Sequence, residues 1–532
     1  MSRIVRLIAA IILSAGTLSA PASAQNGYSF IDAEKSPLNY RAGGVAPRLP
    51  CEDLMRVSSG QLTIVSAELV VAAGDVPEFC RVIGTIQPEV KFEVALPTAW
   101  NRRLYMRGNG GYAGEPLDQP QRIAQRNAAL RNGFVAVQTN TGHDAAAEPL
   151  GSFAVNPQKM IDYAFRAVHE TAQAAKYVAN AYYDRPAAYS YFDGCSTGGR
   201  QGLMSAQRFP GDFDGIIVGA PVLNFTDSVL VGIWQARALA AAPISPKKMT
   251  LIAQAVYRKC DAKDGLEDGL LADPRTCDFD PAADLPKCSG DREEDACFTS
   301  AQIAALKTIY GGIISNGKLF FPGLLPGTEK AGTDSATLRQ KVGGWDFWII
   351  DPSGPSRLLQ YGESYARYLA FAKADPNFDW RKFDFDKDLA RTGDTRAMLD
   401  ATNPDLSEFR SRGGKILMYF GWADTALSPL MGIDYYEKVA AKSGPATRDF
   451  YRLFMVPGMF HCRGGFGTDR FDPLTPLVNW VEGGAAPQRI EASQVEDGKT
   501  VRTRPLCPYP EVAGYNGSGS VDEAGNFSCK AP

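Results

Sequence analysis

The chain has 532 residues, 45% of them hydrophobic and 22% charged, which excludes disorder and a coiled coil and leaves room for more than one domain. Its 56 basic and 59 acidic side chains give a net charge of -3, with no basic excess of the kind nucleic acid attracts. Only His143, His169 and His461 can supply an imidazole.

Residues 1–24 read as a targeting segment. Arg3 and Arg6 precede an apolar run from Leu7 to Leu13, and Ala22-Ser23-Ala24 fits a cleavage signal before Gln25. No later apolar run reaches the roughly 18 residues that span a bilayer, so a soluble product exported to the periplasm or the medium is expected, with no membrane partner. Export turns the ten cysteines towards disulfides. Spacing suggests Cys51–Cys80, Cys260–Cys277, Cys288–Cys297 and Cys507–Cys529, and leaves Cys195 and Cys462 over.

From about residue 60 to 220 short apolar runs alternate with helical patterns. Leu62–Val71, Lys91–Leu96, Arg103–Arg107, Gly133–Thr139, Tyr189–Phe192 and Ile216–Val218 read as strands. Met160–Tyr183 and Gly199–Arg208 read as helices, and such alternation implies a mostly parallel sheet. Residues 224–402 break the rhythm, with four cysteines and the cluster Trp345-Asp346-Phe347-Trp348. Strands resume at Lys415–Phe420 and Tyr451–Val456. The expected organisation is a sheet domain in two parts, 25–223 and 403–532, with a lid domain, 224–402, inserted between strands.

Gly194-Cys195-Ser196-Thr197-Gly198 fits G-x-S-x-G, with a strand before it and a small-residue helix after it. In a nucleophile elbow those neighbours must be small, because the serine sits on a tight turn with its Oγ exposed. A serine nucleophile needs a base, and in the order serine, acid, histidine only His461 follows Ser196. Asp424 is the first acidic residue past the strand Lys415–Phe420 and would orient the imidazole. Cys195 directly precedes Ser196 and Cys462 directly follows His461. If serine and histidine meet, these two cysteines fall within disulfide reach.

Gly-Cys-Ser-Thr-Gly-Gly, Gly-Trp-Ala-Asp and Gly-Met-Phe-His-Cys together resemble the motif set of the tannase and feruloyl esterase family, over nearly the whole chain. The resemblance implies an α/β-hydrolase fold with a large lid. It also implies a serine carboxylesterase for small-molecule esters of aromatic acids, hydroxycinnamic or gallic in type. A mono(hydroxyethyl) terephthalate-type or general aryl esterase is the alternative, and a non-catalytic calcium-stabilised binding protein the reading from another class.

The glycines at 108, 110, 111 and 114 formally approach a dinucleotide fingerprint, but no helical pattern or suitable acid follows. A glycine-rich loop after a strand is where a hydrolase sets its second oxyanion donor, so the oxyanion hole is expected from the N–H of Thr197 with that of Gly110 or Gly111. Within Asp261–Leu270 three carboxylates offer hard oxygen ligands. The resemblance implies a structural Ca²⁺ there, held by Asp261, Asp264 and Asp268 with the carbonyls of Leu266 and Leu270. Trp345 and Trp348 are the candidates for stacking on an aromatic acyl group.

Overall fold

A computed structural model describes residues 28–41, 43–329, 344–351 and 354–531. The expected targeting segment, residues 1–24, lies outside them. Nine strands form the central sheet: β1 Leu62–Val70, β2 Phe79–Ile86, β3 Val90–Pro97, β4 Arg103–Arg107, β5 Val135–Thr139, β6 Tyr189–Cys195, β7 Gly215–Gly219, β8 Lys415–Gly421 and β9 Tyr451–Val456. Their order is β1-β2-β3-β5-β4-β6-β7-β8-β9. From β5 to β9 every pairing is parallel, whereas β1, β2, β3 and β5 pair antiparallel.

The parallel strands are buried on both faces, so they read as unbroken apolar runs. In β7 every residue is buried. Alternate side chains feed two cores. Ile216, Val218, Met418 and Phe420 point to one face, Ile217, Leu417 and Tyr419 to the other. Helix α1, Pro120–Arg131, packs on β5, and α2, Ala167–Tyr183, on the same strand from the opposite face. The expected helix Met160–Tyr183 begins earlier, at Pro157, and passes through a π turn at Asp162–Arg166. Asn156 caps it by accepting the N–H groups of Gln158 and Lys159.

β7 and β8 are neighbours in register, Ile216 opposite Ile416. The intervening chain therefore leaves the sheet and returns beside its point of departure. Its first helix, α4 (Phe225–Ala241, following α3, Thr197–Arg208), crosses α5, Arg357–Tyr368, at very short range. A Cβ on Gly232 would stand 2.0 Å from the Leu358 carbonyl oxygen, and one on Gly362 2.6 Å from that of Val229. Where the chain departs and returns, Ala401 N–H donates to the Leu223 carbonyl at 2.8 Å.

Five disulfides join Cys51–Cys80, Cys195–Cys462, Cys260–Cys277, Cys288–Cys297 and Cys507–Cys529, the pairs named from the sequence. Among the described residues no helix is long and apolar enough to cross a membrane. This is an α/β-hydrolase sheet with a large insertion.

Candidate active site

Ser196 sits between β6 and α3 at φ 62°, ψ -122°, a conformation that a side chain normally avoids and that a surrounding framework must impose. Its N–H donates to the Gly219 carbonyl at 3.0 Å, and its own carbonyl accepts Arg200 N–H at 3.0 Å and Val222 N–H at 3.2 Å. The glycines of the motif are there for space. A Cβ on Gly194 would meet Gly198 at 2.3 Å, and one on Gly199 the Gly219 carbonyl at 2.5 Å. The helix behind the serine starts at Thr197, so its amide dipoles face the turn.

Asp424 follows β8 and is fully buried. One carboxylate oxygen accepts the N–H groups of Ala426 and Leu427, each at 2.9 Å. The other lies 2.8 Å from His461 Nδ1. The β8 end and the histidine loop touch, since a Cβ on Gly421 would stand 2.2 Å from the Met459 carbonyl oxygen. Ser196 and His461 line the same cleft, and the disulfide between their neighbours holds Cys195 and Cys462 at a Cα separation of 6.0 Å.

The other histidines belong to packing. His143 is buried and stacked on Phe153, with ring centroids 4.0 Å apart. His169 stacks on Phe209 and reaches Asp212 Oδ2 through Nδ1 at 2.8 Å. That Asp212 contact raises the His169 pKa, whereas burial lowers that of His143.

The two oxyanion candidates in the glycine loop separate. Gly110 N–H donates to Glu115 Oε1 at 2.9 Å, and Glu115 is fixed in turn by Arg122 at 3.0 Å. Burial would raise the Glu115 pKa, but Arg122 and its N–H donors outweigh it and hold the carboxyl below its usual range. Gly111 is left as the candidate. Its φ is +53°, and its carbonyl accepts the hydroxyls of Thr197 and Tyr163, which locks the loop against the elbow.

The cleft over Ser196 has a volume of about 480 Å³. Trp348 lines it and meets the His461 ring edge-on at 5.4 Å between centroids. Among the described residues its buried indole N–H meets no partner. Trp345 does not reach the cleft, which corrects the expectation for that residue. It is buried in the insertion, donating its indole N–H to Thr328 Oγ1 at 3.1 Å and packing on Tyr310. The sequence reading missed Tyr361 and Arg357, which also line the cleft; Arg357 lies over the rings of Phe347, Trp348 and Tyr361. Their α5 helix carries no motif, and only the fold brings it over the serine.

In the acidic loop Asp261 accepts Gly269 N–H at 3.1 Å, and Asp264 accepts the N–H groups of Leu266 and Ala272. Asp268 pairs with Arg504 at 2.7 Å. Among the described residues no group of three metal-ligating side chains is gathered. The donor chemistry nevertheless suits a hard cation. Burial, together with the charges of Asp268 and Asp261, raises the Asp264 pKa, a strain that a divalent cation would relieve.

Residues 73–530 match the family model described as tannase and feruloyl esterase. The chain is 35% identical to the mono(2-hydroxyethyl) terephthalate hydrolase of Piscinibacter sakaiensis, over 88% of this chain and 87% of that one. It is 31% identical to feruloyl esterase B of Aspergillus niger, over 89% and 90% respectively. The crystal structure of feruloyl esterase B from Aspergillus oryzae superposes with a TM-score of 0.76 at 28% identity, covering 90% of this chain and 99% of that one. The chain belongs to the tannase and feruloyl esterase family. It is a carboxylic ester hydrolase.

Proposed function

We propose that the protein is an exported serine esterase that cleaves esters of aromatic carboxylic acids through an acyl-enzyme. The observation that carries this reading is the meeting of a strained serine elbow with a buried His461–Asp424 pair across the Cys195–Cys462 bond. In this mechanism His461 accepts the Ser196 hydroxyl proton as Oγ attacks the ester carbonyl. Asp424 keeps the Nδ1 proton in place and stabilises the imidazolium. The N–H groups of Thr197 and Gly111 bind the developing oxyanion. Collapse of the tetrahedral intermediate expels the alcohol, which takes the proton from His461. Water then attacks the acyl-enzyme with His461 again as base, releasing the acid and restoring Ser196.

An aromatic acyl group suits the site because Phe347, Trp348 and Tyr361 line the cleft beside Ser196. A second reading, a terephthalate-type monoester, is favoured by Arg357. Among the described residues it forms no ion pair, and a carboxylate at the far end of the acyl ring would complement it. Initial rates on methyl ferulate, methyl gallate and mono(hydroxyethyl) terephthalate decide between the two. Turnover of the first two above the third supports the main reading, the reverse order supports the second, and no turnover of any refutes both.

A structural Ca²⁺ belongs to the same proposal, with Asp261, Asp264 and Asp268 and the carbonyls of Leu266 and Leu270 as its ligands. It would stiffen the loop closed by Cys260–Cys277, whose Leu270 packs with Ala423 and Phe460, the neighbours of Asp424 and His461. Elemental analysis should find one calcium per chain, and chelator should lower Tm. No metal together with an unchanged melting curve would refute it.

A further inference from the structure

Ser196 stands on the turn after β6 and His461 on the loop after β9, joined by one covalent link, Cys195–Cys462, with a Cα separation of 6.0 Å. A single link leaves two loops free to pivot about it, and the histidine loop is strained. Cys462 is held at φ 65°, and Gly464 and Gly465 follow at +71° and +114°. A non-glycine residue stays in that region only where its surroundings impose it.

Asp469 is part of those surroundings. It accepts Gly464 N–H at 2.7 Å, and the Gly464 carbonyl accepts the N–H of Phe460, the residue before His461, at 2.9 Å. Tyr28 OH donates to the same Asp469 oxygen at 3.2 Å. Burial, followed by the charge of Asp469, raises the Tyr28 pKa and keeps its hydroxyl a donor.

The next residue reaches the nucleophile strand. Ser29 Oγ donates at 2.7 Å to Asp193, which is buried on β6 three residues before Ser196. Asp193 also accepts Tyr105 OH at 2.6 Å and pairs with Arg107 at 2.7 Å. Phe30 anchors the segment, edge-on to the rings of Tyr105 and Phe134 at 5.1 Å each. Two adjacent side chains that line the cleft thus connect the nucleophile strand with the histidine loop.

We propose that Tyr28 and Ser29 are positioning residues, which together clasp the end of β6 to the histidine loop and fix the orientation of His461 towards Ser196. This rests on the esterase reading above. The disulfide sets the distance between the two loops, and the clasp sets their angle. Neither side chain takes part in the chemistry, so the effect falls on kcat and not on KM. The clasp is one strap with two ends, so cutting either end releases it.

The test uses Tyr28→Phe, Ser29→Ala and the double variant. Each substitution removes one hydroxyl and leaves Phe30 in place, and thermal melts check that the fold is kept. Two rates are read: turnover of methyl ferulate, and covalent labelling of Ser196 by a small fluorophosphonate, which needs the Ser196–His461 pair but no acyl pocket. Each single variant is expected to lose about fivefold in both kcat and labelling rate, with KM within about twofold of the parent. The double variant is expected to lose no more than about tenfold, well short of the roughly 25-fold of two independent props. Tyr28→Phe keeps the ring and decides alone should loss of the buried Ser29 hydroxyl unfold the chain. A kcat within about twofold of the parent in the single variants, losses that multiply in the double variant, or a raised KM with kcat kept would each overturn the clasp. A wild type that neither turns over the ester nor takes the label would instead overturn the esterase reading on which it stands.

Discussion

At Ser196 the backbone conformation and the surrounding glycines explain each other. The serine is held at positive φ because β7 and the following loop take both its main-chain polar groups, and only glycine at 194 and 199 leaves room for that approach. This much is legible in the sequence, because the spatial demand falls on neighbouring residues and leaves a motif. The pairing of Asp424 with His461 is legible for a different reason: with three histidines in the chain, order along it leaves His461 as the candidate base. The tryptophans are not legible. Trp345 and Trp348 share one four-residue helical turn, and which of them faces the serine depends on how that turn docks. Their substitution should therefore diverge. Trp345→Ala is expected to cost about 3–5 kcal/mol of stability, with kcat/KM of the folded fraction nearly kept. Trp348→Ala should raise KM for an aromatic ester about tenfold with a smaller change in Tm. Thermal melts and steady-state kinetics on both variants check this, and equal effects from the two would contradict the placement.

Among the elements, those most exposed to error were the ones whose local signal conflicts with their packing. Strand β2 contains Gly84, which reads as a breaker, yet a Cβ there would meet the Phe92 ring at 2.3 Å. The glycine is a packing vacancy inside a strand. Helix α1 escapes notice because its buried positions include Arg122 and Gln125, so burial does not follow hydrophobicity. The departure and return of the insertion make a third element with its own chemistry. Asp400 accepts Thr226 N–H at 3.2 Å, and Asp227, on α4, pairs with Arg396. Burial, followed by the charge of Asp227, pushes the Asp400 pKa up to about 7. The folded protein then keeps a proton that the unfolded chain releases near pH 4. That part of the stability is complete below pH 4 and is lost as pH rises towards 7. Asp400→Asn keeps the acceptor oxygen for Thr226 and removes the titration. Its Tm at pH 8, relative to pH 5, should sit at least about 2 °C higher than in the parent. Differential scanning calorimetry at the two values checks it, and parallel curves would show that the junction does not titrate.

For the molecule as a whole, the fold draws residues from distant parts of the chain to one end of the sheet, where β6, β8 and β9 terminate. The N-terminal segment takes part. Ser29 Oγ donates to Asp193 Oδ2 at 2.7 Å on the nucleophile strand, and Tyr28 OH donates to Asp469, which also accepts Gly464 N–H from the histidine loop. The Cys195–Cys462 bond makes the same connection covalently across 267 positions. Chain entropy gives such a closure about 5–6 kcal/mol, while its larger effect is on position, since about 1 Å of misplacement can cost on the order of 100-fold in rate. The Cys195→Ser, Cys462→Ser double variant should fold, melt lower and lose most of its kcat. A double variant with parental kcat would show that packing alone sets the geometry. The parallel sheet and the insertion were legible because alternation and its interruption are properties of long stretches. The antiparallel edge and the passage of α5 over the serine were not, because they depend on contacts between segments far apart in sequence.

The central claim is that Ser196 carries the acyl group. Its most direct measurement is intact-protein mass spectrometry during turnover of methyl ferulate at low pH, where deacylation is slowed, followed by peptide mapping, on the wild type and Ser196→Ala. The wild type should gain the mass of one feruloyl group on the peptide containing Ser196. The variant should gain none and should lose on the order of 10⁴-fold or more in kcat. An acyl adduct on another residue, or Ser196→Ala activity within tenfold of the parent, would contradict the account.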